Sequence, residues 1–214
     1  MKNCVWILTS IIALLTSGCV TGRRVVPLAV PTQASYPVTK DSIYVTAVTD
    51  GRTFLDGPSD PSTPSVDGSV TSLTADQKDM MIGRQRNTYG RAMGDVALPA
   101  NDSVTKIAKG LLEQSLKRRG YALSTDPKTP NSASVSIDEF WAWFTPGFAS
   151  IAFEARVYCT VTIKRSDVET KIVIKGYGIN RGQVASNANW ELAYTRAFDD
   201  FLVKIDPELQ KAGL

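Results

Sequence analysis

The stretch ASIAFEARVYCTVTIKR, Ala149 to Arg165, decides the fold. Ile151, Phe153, Ala155, Val157, Cys159, Val161 and Ile163 share one parity, and Ala152, Glu154, Arg156, Tyr158, Thr160 and Thr162 take the other. Successive side chains of a strand point to opposite faces. An unbroken apolar parity of this length therefore describes a long strand with one buried face and one largely wet face. Thr145-Pro146-Gly147 before it and Ser166-Asp167 after it are turn residues. Its neighbours, Ala133–Phe144 and Lys171–Ile179, are expected to pair with it as an antiparallel meander.

Outward from the meander, helical periodicity takes over. Val104, Ile107, Ala108, Leu111, Leu112 and Leu116 fall on one face of a helix that Asp102 or Ser103 can cap. Lys117, Arg118 and Arg119 suit the negative end of its dipole, and Gly120 suits a left-handed C-terminal position. A second helix is expected over about Ala188–Lys204, presenting Trp190, Ala193, Tyr194, Ala197, Phe198 and Phe201. Ser42–Thr49 (SIYVTAVT) alternates and is β-branched, which predicts the first strand. Asp50 to about Asp76 is rich in Pro, Gly, Ser and Asp and reads as a long loop, with a short hairpin at Ser69–Leu73. A short helix is expected to begin at Ala75.

The expectation is an α+β fold: a two-layer sandwich of a mostly antiparallel sheet with two amphipathic helices on one face, in the order β, long loop, α, β, β, β, α. It forms a single domain over residues 42–206 with a long insertion at 57–95, and residues 207–214 form a tail.

The N-terminus has a different character. Lys2 is followed by the apolar run Val5–Leu15, then Ser17-Gly18-Cys19. A bilayer core of ~30 Å needs ~20 helical residues, so this run is too short to span and suits a cleaved export signal. Small residues directly before a cysteine describe a lipoprotein signal, with residues 1–18 removed between Gly18 and Cys19 and the Cys19 thiol carrying the lipid. Thr16 stands where such signals usually have Leu. Val20 in place of Asp favours sorting to the outer membrane, with the domain facing the periplasm. Residues 19–41, with Pro27, Pro31 and Pro37, read as a flexible tether whose extended reach is ~70 Å.

Composition narrows the chemistry. The chain of 214 residues has 24 basic and 21 acidic side chains, and loss of residues 1–18 removes one Lys and no acid. Such a balance argues against a nucleic-acid binder. Histidine is absent, which removes the commonest general base and metal ligand. There is no Cys cluster for zinc, and Gly-Tyr-Gly at 176–178 and Gly-Arg-Gln-Arg at 83–86 lack phosphate-loop spacing. No cofactor and no metal is expected, and Cys159, at an apolar strand phase, is expected to pack.

Two surfaces stand out. In Phe140-Trp141-Ala142-Trp143-Phe144, the two tryptophans must face away from Phe140 and Phe144. Either the loop 57–95 covers Trp141 and Trp143, or together with Phe148 they form an exposed aromatic patch for a partner or ligand. Arg84, Arg86 and Arg91 lie among Gly83, Gly90 and Gly94, where they read as an anion grip or as a solvated connection.

The chain resembles the YajG-like family of uncharacterised bacterial lipoproteins. The features that carry the likeness are the Cys19 signal, the alternating first strand, the amphipathic helix ending Lys117-Arg118-Arg119-Gly120-Tyr121, the long strand and the closing helix. The likeness spans roughly Ser42 to Asp206, and the segment Gly57–Asp95 departs from it by its length. The resemblance implies a membrane-anchored, non-enzymatic role in binding an envelope protein partner. The alternative is a binder of a small ligand, glycan or lipid through the aromatic hairpin and nearby arginines; a hydrolase is disfavoured.

Overall fold

The computed structural model describes residues 22–32, 35–87, 89–147, 150–166 and 168–214. The strands are β1 (Arg24–Val25), β2 (Ser42–Asp50), β3 (Met81–Arg86), β4 (Ala92–Ala97), β5 (Ala122–Ser124), β6 (Asn131–Pro146), β7 (Ile151–Arg165) and β8 (Val168–Gly182). The helices are α1 (Ala75–Asp79), α2 (Val104–Arg118) and α3 (Asn187–Lys211).

β7 pairs along its whole length with β6 on one side and β8 on the other, both antiparallel, as its alternation requires. Its Phe153, Ala155, Val157, Cys159 and Val161 are fully buried. Burial pushes the Cys159 thiol upward, consistent with a packing role.

The sheet as a whole is mixed rather than mostly antiparallel. β2 pairs parallel with both β6 and β5, β3 pairs parallel with β6, and β1 pairs parallel with β4. Parallel neighbours need a long crossover, and the stretch between β2 and β6, which contains α2, supplies one. Because β7 fills one edge of β6, β2 and β3 share the other: β2 runs beside Ser132–Ile137, and β3 meets it at Ala142. The sheet thus forks into a β2–β5 arm and a β3–β4–β1 arm.

A bulge in β6 between Ile137 and Glu139 switches which parity faces inward. Ala133, Val135 and Ile137 are buried before it, and Phe140 and Ala142 after it, against the same helices. The pairing thus advances by one residue without exposing the core.

Both long helices cover one face. In α2 the Ser103 hydroxyl accepts the Lys106 N–H at 3.1 Å, and Gly120 takes φ +85° beyond the C-terminus. α3 lies so close over β8 that a Cβ on Gly176 would stand 2.6 Å from the Ala197 carbonyl, and one on Gly178 2.1 Å from that of Ala193. Glycine is required there by contact. Side chains of α3 also close the outer edge of β8: Asp200 accepts the Tyr177 N–H at 2.8 Å, and Lys204 donates to the Lys175 carbonyl at 2.9 Å.

Four segments differ from the sequence expectation. The insertion 57–95 contains the short helix expected from Ala75, α1, but the β3–β4 hairpin that follows and extends the sheet falls outside the expectation. The run Met81–Arg86 is interrupted by Gly83 and two arginines, so it lacks a readable alternation. Ser69–Leu73 is a short 3-10 turn instead of a hairpin.

Part of the stretch read as a tether, within residues 22–32, lies against the domain. The Gly22 N–H donates to the Met93 carbonyl at 3.1 Å, Val26 is buried, and Val30 lies against Gly110 of α2. Isolated Val and Leu residues among prolines bury one at a time and leave no period.

The tail is not a tail: α3 continues through Pro207 to Lys211, and Leu209 and Leu214 are buried. Pro207 has no N–H to offer the carbonyl four residues back, that of Val203. Val203 faces solvent at 66% exposure, so that carbonyl is not stranded in the core.

Candidate functional site

The face of the sheet away from the long helices has its own small core at the β3–β6 end. Trp141 and Trp143 are 1% and 5% exposed, packed with Val66, Met81 and Ala97 and flanked by Phe54, Val70 and Leu73. The indole N–H of Trp141 donates to the Pro61 carbonyl at 3.2 Å, and the Arg156 guanidinium lies 4.8 Å from the Trp143 ring centre. The loop covers the tryptophans, and the exposed aromatic patch is corrected. Phe148, Gly18 and Cys19 lie outside the described residues.

The arginines are brought together. Arg84 and Arg86, two apart on β3, share its outer face, and Arg91 follows the turn that leads into β4. That turn is held by Asn87, whose side-chain oxygen accepts the N–H groups of Tyr89 and Arg91 at 3.0 and 2.9 Å, while Gly90 takes φ +78°. Facing the hairpin are Gly57, Pro58, Ser65 and Gly68 of the covering segment. Between them opens a cleft of ≈ 470 Å³.

The polar groups of the cleft are unevenly satisfied. Arg84, 7% exposed, donates from Nη2 to Asp67 at 3.0 Å, and Asp67 in turn donates its backbone N–H to buried Asp95 at 2.9 Å. Arg86 donates to the Gly90 and Pro58 carbonyls, each at 3.0 Å. Burial, and then the charge of Arg84, lowers the pKa of Arg86. Burial raises that of the Asp95 carboxyl, opposed by Arg84. The Nε atoms of Arg84 and Arg86 and the Ser65 hydroxyl are buried with no hydrogen-bond partner among the described residues. Arg91 is exposed at the rim, and the Tyr89 ring is 93% exposed beside it.

Chemically, three guanidinium groups and a hydroxyl facing one opening can hold and orient an anion. The arginine cluster was visible in the sequence; Ser65, Asp67 and Asp95 were not, because nothing in a Pro- and Ser-rich loop marks which residue faces which strand. A larger groove of ≈ 550 Å³ lies between Tyr36, Val38, Tyr121 and Leu123, and none of the buried unpartnered atoms lines it. Among the described residues there is no cluster of three or more potential metal ligands of the His, Cys, Asp or Glu type, and no helix long and apolar enough to cross a membrane.

No family model matches this chain, and no curated protein matches it. Among solved structures, it is similar to a DUF330 protein from Xanthomonas campestris at 10% identity and a TM-score of 0.38, covering 89% of this chain and 98% of that one. An uncharacterized protein is similar at 9% identity and a TM-score of 0.41, covering 88% and 98%. A Helicobacter pylori protein described as a homolog of neuraminyllactose-binding hemagglutinin is similar at 11% identity and a TM-score of 0.29, covering 85% and 92%.

Proposed function

We propose that this chain is a non-enzymatic lipoprotein of the bacterial envelope, anchored through a lipid on Cys19 at the periplasmic face of the outer membrane, that works by binding a protein partner. The observation that carries this reading is the N-terminal sequence: a basic residue, an apolar run of sub-spanning length, and Ser17-Gly18-Cys19. The outer face of β7 and β8 offers a surface for the partner. Val173 is 58% and Tyr177 37% exposed there, with Tyr158 beside them and Arg156, Lys175 and Glu154 around them. An aromatic and aliphatic centre with charged surroundings is the composition of a docking surface.

Mass spectrometry of the protein from cell envelopes tests the anchor. The wild type should carry an acylated Cys19 as its first residue, and Cys19→Ala should accumulate unprocessed; an unmodified Cys19 in the mature protein overturns the anchoring. A photo-crosslinking residue at position 173 tests the docking. One discrete protein adduct is expected, abolished by Tyr177→Asp, and an adduct pattern no different from that of a probe at exposed position 203 sinks the docking surface.

A further inference from the structure

We propose that the cleft between the 57–68 segment and the β3–β4 hairpin binds a phosphate ester, held by Arg84, Arg86, Arg91 and the Ser65 hydroxyl. This site is independent of the protein-docking face on β7 and β8.

The first argument is the state of the donors. Burying a polar group without a partner is unfavourable. Four buried side-chain polar atoms among the described residues lack partners, and three of them, Arg84 Nε, Arg86 Nε and Ser65 Oγ, belong to residues lining this one cleft. Arg84 is more than nine-tenths buried, and Asp67 takes only its Nη2. Asp67 holds Arg84 in place, and the Gly90 and Pro58 carbonyls hold Arg86.

The second argument is charge. Of the three arginines, Arg84 pairs with Asp67 and acts on Asp95, while Asp60 acts on Arg86 from further away. Arg84 and Arg86 repel one another, and Asp67 pairs only with Arg84, so Arg86 and Arg91 have no ion-pair partner among the described residues. An anion between the guanidinium groups relieves that repulsion.

The third argument is shape. Donors come from both walls and from the rim, which suits a tetrahedral group with oxygens in several directions better than a planar carboxylate. The volume of ≈ 470 Å³ lies in the usual range for organic ligands, so an ester with a small organic part fits where bare phosphate leaves space. The exposed ring of Tyr89 stands at the mouth to contact that part.

Titration calorimetry on the full-length chain in detergent tests the assignment. Sodium phosphate, glycerol 3-phosphate and dihexanoyl phosphatidic acid are titrated at constant ionic strength, with sodium acetate as the planar control. Saturable binding of glycerol 3-phosphate, tighter than acetate, is expected. Arg86→Gln should weaken it about tenfold or more, as should Arg91→Gln, whose exposed position leaves folding intact. Ser65→Ala should weaken it with the fold unchanged by circular dichroism. Tighter binding of the phosphatidic acid than of glycerol 3-phosphate supports a lipid headgroup as the source; equal or weaker binding supports a soluble ester. The proposal is overturned if acetate binds as tightly as the phosphates, if no phosphate compound binds saturably, or if Arg91→Gln and Ser65→Ala both bind as the wild type does.

Discussion

Arg52 Nη1 donates to the Phe140 carbonyl at 2.8 Å, on the edge of β6 where β2 has left and β3 has not yet joined. The same guanidinium donates to the Met81 carbonyl at 2.6 Å and the Lys78 carbonyl at 2.8 Å, and grips both oxygens of Asp50 at 2.8 Å. All five of its N–H bonds are used. Its side chain is fully buried, so it satisfies the backbone that the fork of the sheet would otherwise strand.

Arg52→Met should therefore destabilise the chain by ~3–5 kcal/mol, because Asp50 is left without its cation and three carbonyls without donors. Arg52→Lys should recover only part of this, since an ammonium has three donors and no planar fork. Urea unfolding measures both. A loss below ~1 kcal/mol for Arg52→Met would show that the fork does not depend on Arg52.

Trp141→Ala should lose ~3–5 kcal/mol as a large core truncation. In a variant keeping only Trp141, acrylamide should quench its fluorescence as poorly as it quenches Trp190 in a variant keeping only that residue, which is 0% exposed. Efficient quenching of Trp141 would mean that the 54–73 segment opens in solution.

Gly178→Val should destabilise by several kcal/mol and shift α3 away from β8, because the branched side chain would meet the Ala193 carbonyl and the Ala197 N–H. Gly57→Ala is the comparison: nothing lies within 4 Å of its added Cβ, and only its φ of +56° opposes the change. It should lose about 1 kcal/mol. Equal melting temperatures for the two variants would contradict the close helix approach.

Tyr177 carries a pH dependence. Burial and the Glu154 carboxylate, to which its hydroxyl donates at 2.6 Å, push its pKa up to about 12 from 10. The folded chain holds this proton more tightly than the unfolded one, so the stabilisation is complete below pH 10 and is lost as the pH rises from 10 to about 12. Burial also holds the Tyr194 phenol well above its ordinary value, so phenolate absorbance should lose the component titrating at about 12 in Tyr177→Phe while that of Tyr194 remains, and the variant should show a shallower decline of stability across the same window. Unchanged absorbance titration in Tyr177→Phe would refute the pairing.

The long strand and α2 were legible in the sequence because each repeats one physical rule over many residues. Ile151 to Ile163 alternate without a break, and Val104 to Leu116 keep one face. The bulge at Asp138 was hidden: a parity change inside an apolar run looks like aromatic residues on both faces. β3 was invisible since Gly83 is there for close approach to the Ala142 carbonyl and to Trp190, while Arg84 and Arg86 reach the covering segment at Asp67 and Pro58. Gly176 and Gly178, which fail as a phosphate loop, are explained by the helix above them. In the candidate site, the grouping of Arg84, Arg86 and Arg91 could be seen from spacing. Ser65 could not, because its approach depends on a segment that folds back over Trp141.

The docking of Gly22 onto Met93 changes the mechanics of any lipid carried by Cys19. Only residues 20 and 21 separate the two positions, and even fully extended they bring Cys19 no further than ~11 Å from Gly22. A domain on a long leash samples a hemisphere and meets its neighbours at random angles. Under the proposed lipidation of Cys19, so short a stem would confine this one to a narrow cone above the bilayer. The β3–β4 hairpin, which carries both Met93 and the arginines, would then be kept near the headgroups, and β8 would be held at a restricted set of heights and orientations.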